Sequence, residues 1–418
     1  MKATKNLRWW IVATIFLATT INYIDRQALS VAAPVIREDL NLSNEQYSWI
    51  VSSFLLAYTI MQIVSGRLID ILGTKKGFTI SIIWWSIANM LHAFGTGILS
   101  LGIFRFLLGM GEAGNYPAGM KAISEWFPKE ERSKAVGILN MGPGFGAIIA
   151  PPLLVWLILT FGWKLSFVIT GALGFLWLVL WRGIYYTPEN HPKITNEELE
   201  LILKKEKDNF QKEQSPWLSF FKHKEVWGLA LSRFVSDGAF YFFVFWLPSW
   251  LADVKEFSLT EIGMFAWIPF LFSDIGSFVG GWTGEKLIAN GMSLNASRKW
   301  VLWIGAILVV PVLGCLYVQS PYVAIGLISI SLFATQFKQS SLFTLPIDIF
   351  SKKDAASVWG ISGSAGSLGA MLFTPVIGWL VDTISYAPVF TIVAFLHIIS
   401  AILVMVFIPN IKRIPNLS

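Results

Sequence analysis

Charged side chains lie inside long apolar stretches of this sequence. Asp25 and Arg26 end an apolar run near the N-terminus, and Arg105 and Glu112 lie within residues 98–124. An Asp or Arg at the centre of a membrane-spanning helix costs roughly 2.5–3.5 kcal/mol, so such residues are expected to serve a function. Buried acids can bind protons, and arginines bind carboxylates through two parallel hydrogen bonds. The pattern therefore predicts a site for a small organic anion and protons.

The spacing of these residues predicts two polar stripes. Arg105 and Glu112 are seven residues apart, which places them on one helix face, and Asn115 extends that stripe by a turn. Tyr23 lies one turn before Arg26 on the other helix. If the two helices face each other, a carboxylate that loses its arginine partner in this low-dielectric cleft takes up a proton. The alternative interpretation is ion pairing that only holds the helices in register.

The second half of the chain carries its own intramembrane charges. Arg233 and Asp237 are four residues apart and can satisfy each other, whereas Asp274 is interpreted as structural. Lys338, next to Gln339, has no acid nearby in the sequence. It either reaches towards the membrane surface or adds a cation to a binding cavity.

The elements that must position these residues are membrane-spanning helices. Of the 418 residues, 55% are hydrophobic and only 14% are charged, which is too few charges for a water-facing surface. The apolar segments approach the roughly 20 residues that a transmembrane helix needs, and they lack the alternation of a transmembrane barrel. We predict an all-α integral membrane protein with twelve transmembrane helices. The predicted spans are 8–36, 48–71, 77–94, 98–124, 132–160, 163–186, 225–252, 260–288, 299–318, 321–350, 354–383 and 386–408.

The spans divide into two predicted six-helix bundles with pseudo-symmetry. Residues 1–186 form the first, residues 225–418 the second, and a cytoplasmic linker at 187–224 joins them. Lysine and arginine cluster before the first span, in every second loop and after the last span, which predicts that both termini are cytoplasmic. The net charge of +6 is attributed to these loops and not to nucleic-acid binding.

Short motifs recur near helix ends. Residues 66–70, 281–285 and 378–382 each begin with Gly and end with an acid. The glycine is expected to permit close helix approach, and the acid to cap or pair with a neighbouring helix end. The Gly- and Pro-rich run 142–152 predicts a helix that flexes or packs closely, and 195–198 resembles a capping box.

The sequence does not indicate an enzyme. It has no phosphate-binding Gly-Lys-Ser/Thr loop and no paired-histidine helix motif. His92 and His397 lack the spacing of metal ligands, and the lone Cys315 forms no disulfide framework. We therefore predict neither metal nor cofactor, with transport driven by an ion or substrate gradient.

Several stretches resemble known transporters. Residues 66–76 (Gly-Arg-Leu-Ile-Asp-Ile-Leu-Gly-Thr-Lys-Lys) resemble the loop signature between the second and third helices of the major facilitator superfamily. Residues 22–26 and 105–117 resemble the anion:cation symporter family within it. Further stretches are similar to bacterial hexuronate transporters, at 124–128, 169–175, 233–237, 264–267 and 297–299.

The resemblance implies a proton-coupled symporter in which two six-helix bundles rock about a central site. It implies that Arg26 binds the sugar carboxylate, that Asp25 and Glu112 carry protons, and that Arg105 exchanges partners with them. Lys338 departs from relatives, which usually have an apolar or aromatic residue there. Spacing and resemblance together predict substrate contacts at Tyr23, Arg26, Tyr58, Arg105, Asn115, Lys338, Gln339 and Ser364. Conformational roles are predicted for Gly66, Asp70, Gly73 and Glu285.

The expected function is therefore symport of a hexuronate, such as glucuronate or galacturonate, with protons. The expected location is the bacterial cytoplasmic (inner) membrane, where the protein would act as a monomer. Another organic anion, such as an aldonate, an aldarate or a different carboxylate, is the alternative substrate. A membrane sensor that binds the anion without transporting it is the alternative from a different class.

Overall fold

The computed structural model describes residues 6–203, 217–350 and 354–414, and every regular element in these ranges is helical. The α-helices, numbered in chain order, are α1 Leu7–Asp39, α2 Asn44–Leu72, α3 Thr74–Leu91, α4 Ile98–Glu112, α5 Asn115–Trp126, α6 Lys129–Ile184, α7 Asn196–Leu203, α8 Trp217–Phe220, α9 Lys224–Lys255, α10 Leu259–Phe265, α11 Ile268–Ala289, α12 Leu294–Leu308, α13 Pro321–Ile349, α14 Ala355–Thr383 and α15 Ala387–Phe407. Short 3-10 turns at His92–Phe94 and Val310–Leu316 extend α3 and α12.

These helices confirm the predicted all-α membrane architecture. Within the described ranges, eight helical segments are long and apolar enough to cross a membrane. The helix α2 is bent between two halves, and together these make a ninth span. The rest of the predicted twelve are the second span within α6, the α4–α5 pair, and α13. Large apolar side chains such as Leu99, Val179 and Phe278 are exposed, as expected for surfaces that contact lipid. The chain is a multi-pass membrane protein.

Glycine and proline break the helices where the sequence carries them. Gly162 takes a left-handed φ of 80° and divides α6 between the two predicted spans. The fourth predicted span is likewise two helices, because Pro117 has no N–H to donate to the carbonyl of Ala113. The Ser65 hydroxyl donates to that carbonyl instead, at 3.1 Å. Glu112 is thus the last residue of a helix and not the middle of one.

The chain divides into two compact units. The first comprises residues 1–32 and 56–212, and the second comprises 33–55 and 213–418. The end of α1 and the start of α2 therefore belong to the second unit, although they precede most of the first in the chain. The predicted bundle boundaries, 1–186 and 225–418 with a linker at 187–224, stay a prediction.

In the first unit, aromatic packing and close helix contacts form the core. Phe78 packs against Trp177 and Trp181 with ring centroids 5.1 Å apart. A Cβ added at Gly142 would lie 2.7 Å from Thr19, and one at Gly146 would lie 2.6 Å from the Tyr23 side chain. The Gly- and Pro-rich run thus lets α6 pack closely on α1.

In the second unit, an aliphatic core joins α9, α12, α13, α14 and α15. Its centre includes Val226, Leu302, Leu345, Val358 and Val404. The segment 33–55 is tied to α9 by hydrogen bonds. Arg37 donates to Asp253 at 2.6 and 2.8 Å, and the Tyr47 hydroxyl donates to the carbonyl of Phe245 at 2.9 Å.

The repeated glycine-to-acid motifs have different local roles. Asp70 forms a salt bridge with Lys121 at 3.0 Å. Asp382 accepts from the backbone N–H groups of Asn44 and Glu45, at 3.2 and 2.7 Å, and so caps the start of α2. Both contacts agree with the prediction for the acids. The close helix approach predicted for the glycines is present at Gly378, where an added Cβ would lie 2.7 Å from Ser48. At Gly66 and Gly281 it is absent, because an added Cβ there would meet nothing within 4 Å.

Candidate functional site

Arg26 and Glu112 form a buried ion pair in the first unit. Arg26 Nε and Nη2 each lie 2.9 Å from Glu112 Oε2, and both side chains are almost fully buried. The guanidinium also lies over two tyrosine rings, 4.5 Å from the centroid of Tyr23 and 4.6 Å from that of Tyr58. Tyr23 is on the same face of α1 as Arg26, because the two are one turn apart. A guanidinium between an acid and two aromatic rings can bind a carboxylate-bearing ring.

Asp25 points to a different helix from its neighbour Arg26. Asn89 Nδ2 on α3 donates to Asp25 Oδ1 at 2.7 Å and also lies 2.8 Å from Thr170 Oγ1. Adjacent residues on a helix point about 100° apart, which explains why Asp25 faces α3 while Arg26 faces α4. Asp25 Oδ2 and Glu112 Oε1 have no hydrogen-bond partner among the described residues. Each acid therefore has an oxygen that can carry a proton.

Arg105 joins the two helices of this cluster. Its Nη1 donates to the backbone carbonyl of Arg26 at 3.3 Å, and the side chain is buried. Two acids and two arginines thus share one buried cluster, as the spacing predicted. Sequence reasoning missed Asn89, although a buried amide within an apolar span was a signal for it.

Asn115 is hydrogen-bonded to a residue outside the ion pair. Its Nδ2 donates to Thr19 Oγ1 at 3.1 Å, which connects the start of α5 with α1. The other predicted residues of the first unit lie near helix ends. Gly73 has a left-handed φ of 77° between α2 and α3, which favours glycine there. The roles predicted for these residues stay predictions.

A second ion pair lies in the second unit. Arg233 Nη2 lies 3.0 Å from Asp237 Oδ2, and Gln339 Nε2 donates to Asp237 Oδ1 at 2.9 Å. The Arg233 guanidinium lies 4.8 Å from the ring centroid of Phe343 and 5.3 Å from that of Trp359. Arg233 Nη1 is buried and has no acceptor among the described residues. The set repeats the first unit's combination of guanidinium, acid and two aromatic rings.

The predicted residues of the second unit do not all meet at this pair. Gln339 does, and Ser364 is half-buried next to Gly363, where an added Cβ would lie 3.2 Å from Arg233 Nη1. Glu285 is exposed near the end of α11. Arg233 and Asp237 were not among the predicted site residues, although their four-residue spacing inside a span was the signal.

Lys338 lies in a separate buried cluster. Its Nζ donates to Ser400 Oγ at 2.6 Å and lies 3.5 Å from His397 Nδ1. Lys338 neighbours Gln339 in the sequence, but the helical turn directs its amine to α15 while Gln339 faces α9. The side chains of Lys338 and Gln339 thus belong to different clusters.

Comparison with known proteins identifies the family. The chain is 38% identical over 416 residues to the hexuronate transporter of Escherichia coli strain K12, covering 98% of this chain and 96% of that protein. It is 39% identical over 328 residues to the galacturonate transporter of Dickeya chrysanthemi, covering 77% of this chain and 94% of the relative.

Solved structures share the fold at lower identity. A crystal structure of a D-xylose-proton symporter matches with a TM-score of 0.76 and 18% identity, over 96% of this chain and 98% of the other. A family model described as Major Facilitator Superfamily matches residues 15–295 and 286–416. These proteins are transporters and not enzymes, and this chain belongs to the Major Facilitator Superfamily.

Proposed function

We propose that this protein is a proton-coupled symporter that imports a hexuronate, such as glucuronate or galacturonate, by alternating access. The observation that carries the proposal is the buried Arg26–Glu112 pair beside Asp25, in which a guanidinium already binds a carboxylate. The names of the relatives, hexuronate and galacturonate transporter, support the choice of sugar acid.

The coupling follows from an exchange of partners at Arg26. A substrate carboxylate that takes the place of Glu112 on the guanidinium leaves Glu112 without its counter-charge. In a low-dielectric environment, an unpaired carboxylate is costly and takes up a proton. Arg105, bonded to the backbone of Arg26, is placed to hold the displaced acid or the substrate. Substrate binding and proton binding then favour each other.

Asp25 supplies the second proton site. A monoanion alone is driven outward by a negative cell interior, because each elementary charge is worth about 2.3 kcal/mol per 100 mV. Net inward charge therefore needs at least two protons for each monoanion. We propose that Asp25 and Glu112 each carry one, with protons as the coupling ion, no other cofactor, and a monomer as the working unit.

The basic loops support an orientation with both termini in the cytoplasm of a bacterium. The protein would then lie in the cytoplasmic membrane, where a pH gradient drives import. An aldarate is the second candidate substrate. It carries two carboxylates, and the second unit has a guanidinium–carboxylate pair of its own, Arg233–Asp237.

The decisive experiment is uptake of labelled sugar acids into proteoliposomes under an imposed pH gradient. We expect Glu112→Gln to abolish gradient-driven accumulation while sparing exchange of substrate across the membrane, because the amide cannot carry the proton. Asp274→Asn is the matched control, since Asp274 is an intramembrane acid of the other unit that is exposed and outside both ion pairs. Loss of exchange as well as accumulation in the Glu112 variant would count against its proton role.

A further inference from the structure

Two basic side chains and two serines meet inside the second unit. Lys338 Nζ lies 2.6 Å from Ser400 Oγ and 3.5 Å from His397 Nδ1, and Ser400 Oγ lies 2.6 Å from Ser232 Oγ. All four residues are fully buried. His397 Nε2 also lies 3.4 Å from Thr335 Oγ1. The cluster joins α9, α13 and α15 away from the Arg233–Asp237 pair.

The charge on this cluster is limited by its surroundings. Among the described residues, no carboxylate lies within hydrogen-bond distance of Lys338 Nζ. Two buried basic groups 3.5 Å apart repel strongly if both are charged, because burial removes the screening of water. Lys338 and His397 can therefore share one proton at most.

Among the described residues, one acid on the helices around Lys338 is placed beside this cluster. Asp237 on α9 accepts a hydrogen bond from Gln339, the residue that follows Lys338 on α13. On α12, Arg298 is paired with Asp348 at 2.8 Å, and on α11, Asp274 is exposed. The effective negative charge of Asp237 depends in turn on Arg233, which lies 3.0 Å away.

We propose that Lys338 and His397 form a proton-binding site that is coupled, through Asp237, to the binding of an acidic substrate at Arg233. This inference rests on the proposed function. A substrate oxygen that accepts from Arg233 Nη1, which has no acceptor among the described residues, competes with Asp237 for the guanidinium. The charge of Asp237 is then less fully offset, and it favours a proton on the Lys338–His397 pair.

The proton comes from water and returns to water, so no other reactant is needed. It forms an N–H bond with the free amine or imidazole nitrogen and leaves that nitrogen when the substrate dissociates. The Ser400 and Ser232 hydroxyls connect the amine to α9, and each can accept and donate a proton. Linkage is reciprocal, so protonation of this site should strengthen substrate binding by the same factor, typically about 5- to 150-fold.

The proton count of the wild-type carrier tests the proposal without any substitution. A substrate gradient is opposed by a series of pH gradients, and the pH gradient at which net substrate flux reverses is measured. The balance of the two gradients at that point gives the number of protons moved with each substrate molecule. We expect three protons, because Asp25 and Glu112 supply only two. A count of two with intact proton-driven import would overturn this inference and leave the proposed function standing. Absence of sugar-acid import would overturn the proposed function itself.

Two variants at Lys338 sharpen the test. Lys338→Met combined with His397→Phe removes both nitrogens that can bind the proton, and Lys338→Arg keeps a fixed charge that disfavours a proton on His397, so each should move one proton fewer than the wild type. Substrate accumulation should then fall about tenfold per unit of pH gradient. Lys286→Met is the control, because Lys286 is a second-unit lysine that packs on Trp282 outside the cluster. An unchanged proton count in either Lys338 variant would contradict the proposal, whereas a purely packing role would not give the same loss for both.

Discussion

The two units satisfy their buried charges in different ways. In the first unit, the arginine and acid side chains are hydrogen-bonded to one another or to neighbouring polar groups, with Glu112 on Arg26 and Asn89 on Asp25. The second unit contains the similar pair Arg233–Asp237 and in addition a lysine whose amine contacts a histidine and a serine. The arginine–acid pairs can exchange carboxylates. The Lys338–His397 contact can change its charge only by gaining or losing a proton.

This difference matters because removal of one partner from a buried pair leaves an uncompensated charge. Substrate binding at a paired arginine has that effect on the acid it displaces. A proton then offers the least costly compensation, either on the acid itself or on a basic group nearby. Substrate binding at a paired arginine can therefore lead to proton uptake in two ways: on the displaced acid in the first unit, and on the Lys338–His397 pair in the second.

The largest expected effect comes from Arg26→Lys. A lysine is a point charge and cannot form the two-nitrogen contact that Arg26 makes with Glu112. Losing part of a buried charged contact costs about 2–5 kcal/mol, so we expect substrate affinity to fall roughly 100-fold. Isothermal titration of the purified protein with glucuronate and galacturonate measures this.

The same change at Arg233 compares the two units directly. We expect Arg233→Lys to weaken binding by roughly tenfold, about 1.4 kcal/mol, because a lysine can still lie over Phe343 and Trp359. Arg37→Lys, in the second unit but outside both clusters, should bind as the wild type does. Equal losses of affinity in the Arg26 and Arg233 variants would show that the two arginines contribute equally to substrate affinity, and unchanged affinity in Arg26→Lys would remove Arg26 from the site.

An intermediate effect is expected from Asn89→Ala. This change removes the donor to Asp25 and leaves a buried carboxylate with one hydrogen bond fewer. A hydrogen bond to a charged group is worth about 1.5–3 kcal/mol, so gradient-driven uptake should slow by about tenfold or more. The measurement is initial uptake rate at fixed substrate, with binding followed in parallel.

Asn115→Ala provides the control for this comparison. Asn115 is also a buried amide of the first unit, but its donor goes to the neutral Thr19 hydroxyl. We expect a smaller loss there, of about 1 kcal/mol in stability with uptake retained. If the two variants slow uptake equally, Asn115 belongs to the functional cluster, as the sequence predicted.

Local patterns in the sequence were sufficient to predict most of the fold and part of the site. Apolar length located the spans, and the seven-residue spacing of Arg105 and Glu112 placed them on one face. Helix rotation relative to neighbours is a tertiary property, so spacing alone did not reveal that Asp25 would bind Asn89 or that Lys338 would face Ser400. Nor did it predict that α4 ends at Glu112.

Chain order likewise does not determine which residues pack together. The division of the bundles at a long polar linker stays a prediction, and by their contacts residues 33–55 group with the second unit, through pairs such as Arg37–Asp253 and Tyr47–Phe245. Those contacts join residues about 200 positions apart, and no local spacing encodes them. The repeated glycine-to-acid motif shows the same limit, because equal spacing at 66–70 and 378–382 leads to different partners.

The smallest expected effect separates these two copies of the motif. Asp382→Ala removes the acceptor for two N–H groups at the start of α2 and for Asn44 Nδ2, which donates at 2.8 Å. By analogy with loss of a helix cap this costs about 1 kcal/mol, whereas Asp70→Ala removes an exposed ion pair worth about 0–1 kcal/mol. We therefore expect thermal unfolding in detergent to shift down by about 2 °C for Asp382→Ala and by less for Asp70→Ala. The reverse order would mean that the Asp70–Lys121 contact is part of a larger stabilising network in the first unit, and that helix capping contributes little to holding residues 33–55 on the second.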